Sequence, residues 1–145
     1  MKRSGHAIWK GAGQTGNGKL TTQSGAITDL PYDFKGRFQS EDGRAGTNPE
    51  ELLGASYAGC FSMAFAFALG GAGFTADEIK AEAKVEIRPV DGGFSITGIE
   101  LFLTAKMPGL DEATFQQLAA GAKANCPLSK ALASVPISLS ATLVS

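Results

Sequence analysis

Histidine, cysteine and net charge are all scarce in this chain of 145 residues, and each scarcity removes a class of function. His6 is the single histidine, and Cys60 and Cys126 are the two cysteines. Scattered in this way they lack the close ligand spacing of a zinc site, so no metal is expected. His6 has no neighbour in sequence with which to build a triad and reads as an exposed strand residue. Thirteen Lys and Arg against fourteen Asp and Glu leave a net charge of −1. Such a balance gives no basic field to neutralise phosphates, so neither nucleic acid nor a charged substrate is indicated. The glycines of Gly11-Ala12-Gly13-Gln14-Thr15-Gly16 are not followed by Lys-Ser or Lys-Thr, which rules out a phosphate loop, and no cofactor is expected. The N-terminus carries Lys2 and Arg3 but runs into Trp9-Lys10-Gly11 rather than an apolar leader, a pattern that favours the cytoplasm.

What the chain does contain is one long uncharged run, Leu52 to Leu69. It is as long as the shortest membrane spans, about 17 residues. It is rich in Ala and Gly, includes Ser56 and Ser62, follows Glu50-Glu51 and ends in Gly70-Gly71, so it reads as a buried helix and no membrane association is expected. Thr47-Asn48-Pro49-Glu50-Glu51 supplies the start: a polar cap, a proline where the missing N–H does no harm, and carboxylates in the positive first turn. Apolar or small residues occupy nearly every face, which calls for burial on all sides. One core, in a single domain 1–145, is what this length supports. Such a core can scarcely wrap the helix, and a partner subunit is expected.

Around it the pattern alternates. Strands are expected at roughly 5–12 and 18–24, with Asn17-Gly18 as a hairpin signal. A strand and an ordered loop follow across Ile27 to Gly46. Ile79 to Val90 alternates charged and apolar residues as a half-wet strand, Asp91-Gly92-Gly93 turns it back, and Phe94 to Met107 forms the second arm. Asp111 to Ala124 has helical spacing, a short helix at about 127–134 follows, and Ile137 to Leu143 is a last strand. The order predicts an α+β domain.

In a reducing compartment two cysteines are packing residues, metal ligands or redox groups. A thiol reacts as its thiolate, and apolar surroundings oppose ionisation, so Cys60 in mid-helix needs a cation. Arg37, set among Tyr32, Phe34 and Phe38, suits that role because a guanidinium stays charged when partly buried, while Lys35 and Arg44 are weaker choices. Glu50 can hold the Arg37 fork, or it can reach back to Thr47 as a capping box. Cys126 precedes Pro127 in an N-cap position, where the following helix favours a thiolate, and on electrostatics alone it is as good an attacker as Cys60. There is no C-x-x-C pair, and both thiols can equally be read as small core residues.

Four segments together carry a resemblance: Pro31-Tyr32-x-Phe34-x-x-Arg37-Phe38, Gly46-Thr47-Asn48-Pro49-Glu50-Glu51-Leu52, Cys60-Phe61-Ser62-Met63-Ala64 and Cys126-Pro127-x-Ser129. Over essentially its whole length the chain resembles the OsmC (osmotically inducible protein C) family of bacterial thiol peroxidases. The resemblance implies an OsmC-like fold, antiparallel sheets around a long buried helix in an intertwined homodimer, with active sites at the interface. It implies reduction of organic hydroperoxides in oxidative and osmotic stress defence. Cys60 would be the peroxidatic cysteine, Cys126 the resolving one, Arg37 the activator of the thiolate and Glu50 the residue orienting Arg37. The implied reductant is a dithiol, lipoyl groups rather than thioredoxin. In the sister Ohr subgroup the arginine comes from the early hairpin, where this chain has Gln14, Thr15 and Lys19, so Arg37 points to OsmC. Phe34, Phe38, Phe61 and Met63 would suit an alkyl or aryl hydroperoxide. The rival readings are a noncatalytic dimer holding a hydrophobic ligand and a thiol redox sensor.

Overall fold

The computed structural model describes all 145 residues, and its backbone forms two compact parts, residues 1–52 and 53–145. In the first, β1 (Gly5–Lys10), β2 (Asn17–Thr22) and β3 (Leu30–Asp33) pair antiparallel in that order. Asn17-Gly18 is not the turn: both residues lie in β2, and the reversal occupies residues 11–16, closed by the Gly16 amide donating to Ala12 O at 2.7 Å. Gly18 is required for packing instead. A Cβ there would run into the Tyr32 ring and stand 2.7 Å from Ile8 O.

The segment expected as a loop after β3 contains a short helix, α1 (Phe34–Phe38). Asp33 caps it, accepting from the Gly36 amide at 2.7 Å. Five residues are too few for helical periodicity to stand out in sequence.

Helix α2 (Pro49–Gly71) is the long element. Its first turn is capped by Asn48 Oδ1, which accepts from the Glu51 amide at 2.8 Å. In the larger part Tyr57, Phe61, Phe65 and Leu69 recur every four residues and form one buried stripe. The stripe packs with Ile99, Leu101, Leu103 and Ala105 of β5 (Gly93–Lys106) and with Phe115, Ala119 and Ala122 of α3 (Glu112–Asn125) into a single core. Phe65 and Phe115 meet edge to face, ring centres 5.6 Å apart. Gly54 lets the β4 backbone come close, because a Cβ there would lie 2.8 Å from Ala83 O.

The expectation of burial on all sides holds for only one face within the protomer. Met63 and Phe67 are 63% and 75% exposed. The uniform apolarity of α2 thus exceeds what its own chain covers.

β4 (Glu78–Val90) and β5 pair antiparallel, with a bulge at Glu86/Ile87. β6 (Ile137–Val144) runs parallel to β5, so the sheets are antiparallel at every pair but this one. The return through α3 and α4 (Pro127–Ala131) supplies the crossover that a parallel neighbour needs. The α+β class stands, with two three-stranded sheets.

Candidate active site

Each half of the expected site is formed within one of the two compact parts. In residues 1–52, α1 carries Arg37 and the first turn of α2 carries Glu50. Arg37 Nε donates to Glu50 Oε2 at 3.1 Å and Nη2 to Oε1 at 2.6 Å. This paired geometry fits a planar fork to a carboxylate. Glu50 is buried and serves the arginine rather than reaching back to Thr47, whose hydroxyl donates to Glu51 Oε2 at 2.9 Å. The guanidinium also lies 4.8 Å from the centre of the Phe38 ring, a cation–π distance. Lys35 and Arg44 are exposed, as is His6.

Phe34 and Phe38 stack 5.0 Å apart one turn from each other, and Trp9 meets Tyr32 at 5.4 Å. With Asp33 and Arg37 these rings line a cavity of about 250 Å³. Of the four apolar residues expected near a substrate, Phe34 and Phe38 line this cavity with the arginine, while in the larger part Phe61 belongs to the core and Met63 to the exposed face of α2. Trp9 and Tyr32 were not singled out for this role in sequence. Trp9 reaches this place through the pairing of β1 with β2 and of β2 with β3, which no local spacing reveals.

In residues 53–145 the two thiols meet. Cys60, half-buried in mid-α2, and Cys126, fully buried at the N-cap of α4, have sulfurs 2.9 Å apart although 66 residues separate them in sequence. Both are free thiols. They differ in charge preference. Burial raises Cys60 first, and its hydrogen bond with Cys126 raises it further, against a lowering contact from the Leu128 amide. For Cys126 burial also opposes ionisation, yet the bond with Cys60, the amides of Ser129 and Leu128, and the Ser129 hydroxyl together bring it below its ordinary value. Burial opposes charge on Cys60, which needs a cation if it is to ionise.

Two further polar residues complete this cluster. Tyr57, one turn before Cys60, is fully buried and its hydroxyl lies 2.6 Å from Ser129 Oγ, one turn after Cys126. Helical i, i+3 spacing from each cysteine was the available signal for both. Phenol burial raises Tyr57, partly offset by the bond to Ser129, so it stays protonated.

Residues 40–140 match the family model described as OsmC-like protein. The chain is 45% identical to Peroxiredoxin OsmC of Escherichia coli (strain K12) over 132 residues, 91% of this chain and 90% of that protein. It is 34% identical to the organic hydroperoxide resistance protein OhrB of Bacillus subtilis (strain 168) over 115 residues, 79% and 80% of the two chains. Among solved structures, that of OhrB of Bacillus subtilis superposes with a TM-score of 0.71 at 27% identity, covering 97% of each chain. An OsmC-like protein from Mycoplasma pneumoniae shares the fold, with a TM-score of 0.76 at 17% identity over 100% of this chain and 99% of its own. With the motif residues and the fold in agreement, the chain belongs to the OsmC/Ohr family.

Proposed function

We propose that this protein is a thiol peroxidase that reduces organic hydroperoxides to alcohols, in stress defence within the cytoplasm. The observation that carries the reading is the 2.9 Å approach of Cys60 and Cys126, one accessible and one sheltered. The names of its relatives, a peroxiredoxin and an organic hydroperoxide resistance protein, support the same class of activity.

Cys60 is the peroxidatic sulfur. Full burial keeps a peroxide from Cys126, so access decides in favour of Cys60. Arg37, oriented by Glu50, supplies the cation that Cys60 lacks. In a homodimer with its active sites at the interface, the arrangement the family resemblance implies, the guanidinium that Glu50 holds is taken to act on Cys60 of a second protomer. A homodimer would also cover Met63 and Phe67. The Cys60 thiolate attacks the outer oxygen of ROOH. The O–O bond breaks, a proton is taken up, alcohol leaves and Cys60 becomes a sulfenic acid. The Cys126 thiolate displaces hydroxide from that sulfur to form the disulfide, and an external dithiol, of the lipoyl type, reopens it. The rings beside Arg37 would hold the organic substituent.

The decisive experiment measures turnover of cumene hydroperoxide with dihydrolipoamide in the wild type and in Cys60→Ser. Activity that disappears in the variant supports the reading, and an equal rate in both ends it. A noncatalytic binder would form no disulfide on adding hydroperoxide, and a redox sensor would form one without turning over excess dithiol.

A further inference from the structure

A groove of about 690 Å³ opens between α3, α4 and the segment that runs from Val135 into β6. Its volume falls within the roughly 300–1,000 Å³ of small-molecule sites. No residue of α2 lines it, so it is distinct from the Met63 and Phe67 face that a homodimer would cover. The walls are tied together. Gln116 and Lys123, two turns apart on α3, both reach β6, an edge strand whose outward carbonyls have no neighbouring strand. Gln116 Nε2 donates to Ala141 O at 2.8 Å and Lys123 Nζ to Ile137 O at 2.6 Å. Along this stretch α3 lends the groove only the small side chains of Ala120 and Ala124, so the space stays open. The floor is Val135, Ile137 and Leu139, half-buried residues at the margin of the core.

The lining holds two ammonium groups, Lys123 and Lys130, and no carboxylate. Neither lysine takes part in an ion pair; the pairs of the molecule lie at Lys19, Arg37, Lys80 and Arg88. One N–H of Lys123 goes to the Ile137 carbonyl, which leaves two to give. Glu112 accepts from Gln116 at 2.8 Å, beyond the end of the groove that lies away from the lysines. The groove is therefore positive at one end and apolar along its floor. Half-buried positive charge beside apolar surface, with no counter-charge, is the complement of an anion that carries a hydrocarbon tail. From Gln116 to Lys123 the helix rises roughly 10 Å, about the length of an extended eight-carbon chain. We propose that this groove binds a monocarboxylate with a hydrocarbon tail, its carboxylate at Lys123 and Lys130 and its tail along Val135, Ile137 and Leu139 toward Gln116.

Binding here is noncovalent and uses neither thiol, so it stands or falls apart from the peroxidase reading. Head and tail are recognised by different physics. Each ammonium–carboxylate contact at a partly exposed site contributes about twofold to fivefold in affinity. That part weakens as salt rises. Each buried methylene contributes about fourfold, so affinity climbs with chain length and levels off once the tail, at roughly 10 Å, fills the space between the two ties. Inorganic anions would meet the lysines and leave the floor bare, and neutral alcohols would cover the floor and leave the lysines unpaired.

The test is isothermal titration of the full-length protein at low salt with octanoate, octanol and octylammonium, which share a tail and differ in head group. Octanoate is expected to bind tightest and octylammonium weakest, with the advantage of octanoate over octanol shrinking as salt is added. Lys130→Gln, at an exposed position, is expected to weaken octanoate about twofold to fivefold and to leave octanol unchanged. Ala124→Leu, also at an exposed position, fills the groove and is expected to weaken both, with thermal unfolding of each variant checking that the fold is kept. No saturable binding of octanoate, or equal affinity for octanoate and octanol, overturns the proposal. Undiminished binding in Ala124→Leu overturns the location. Sedimentation with phosphatidylglycerol vesicles without binding of free octanoate also overturns it, since a lipid surface would then be the partner. A protein inert to hydroperoxide that binds octanoate defeats the peroxidase reading alone, and an active one that does not bind it defeats this inference alone.

Discussion

Arg37 and Glu50 are joined by two charge-assisted hydrogen bonds, 3.1 and 2.6 Å long, with the arginine side chain 34% exposed and the glutamate side chain 10% exposed. The less exposed partner is the one that suffers when the pair is broken, because a carboxylate without its cation keeps the cost of leaving water. The same bonds hold the guanidinium as a fixed fork, so a change at Arg37 alters both the placement of its charge and the stability of the pair.

Arg37→Ala is expected to slow alkylation of Cys60 near neutral pH, measured with iodoacetamide, and to lower stability by about 1–3 kcal/mol in urea unfolding. Arg37→Lys keeps the charge without the fork and is expected to fall between the two. Unaltered alkylation in Arg37→Ala would remove the residue from the chemistry.

Mixed dimers separate the two possible sources of the cation. Neither Arg37→Ala nor Cys60→Ser is expected to turn over hydroperoxide alone. Co-assembled, they rebuild one complete site if Arg37 serves the sulfur of the other protomer, giving up to about half the wild-type rate per mixed dimer, as expected for one intact site of two. A mixture as inactive as its parents would place the cation in the same chain. Phe67→Glu, on the exposed face of α2, is expected to yield monomers by light scattering.

Cys126→Ser should allow one reduction per protein and then progress to sulfinic acid, since no second sulfur is present to trap the sulfenic acid. Intact-mass spectra after stepwise peroxide addition would show a gain of two oxygens in the variant and a loss of two hydrogens in the wild type.

Core packing gives a prediction independent of chemistry. Phe115 is fully buried against Phe65, and Phe115→Ala is expected to cost about 3–5 kcal/mol. Gly54→Ala, which adds only a methyl group but sets it against Ala83 O, should cost about 1–3 kcal/mol, the reverse of the usual gain from Gly to Ala in a helix.

Asp111 caps α3, accepting from the Thr114 amide at 2.9 Å and from its hydroxyl at 2.7 Å, and these bonds hold its carboxyl below the ordinary range. A carboxyl lowered in the folded state stabilises above its unfolded value, near 4, and loses that effect as pH falls through the folded value. Asp111→Ala should therefore lower Tm at neutral pH, with the gap to the wild type closing as pH falls below the ordinary carboxylate range. A gap that stays constant with pH would show the cap to act without its charge.

Much of the chain was legible because its signals are local. The cap and proline before α2, the alternation of Lys80, Glu82, Lys84 and Glu86 in β4, and Pro127 after Cys126 each act within a few residues, and all three elements formed where expected. The hairpin was misread where a local signal competed with a distant neighbour: Asn17-Gly18 has the composition of a turn, but Gly18 is needed under Tyr32 from another strand. Thr47 and Glu50 left a capping box and a clamp on Arg37 both open, and the clamp formed because Arg37, thirteen residues away, brings a charge that the backbone amide lacks.

The sequence by itself determined the elements, the class of fold and the chemistry available, since periodicity, caps and residue types are properties of short stretches. Only the tertiary structure decided that Cys60 meets Cys126, that Tyr57 meets Ser129, and that β6 runs alongside β5 rather than against it. Those facts depend on how buried surfaces pair across long separations, and no stretch of chain a few residues long contains both sides of such a pairing.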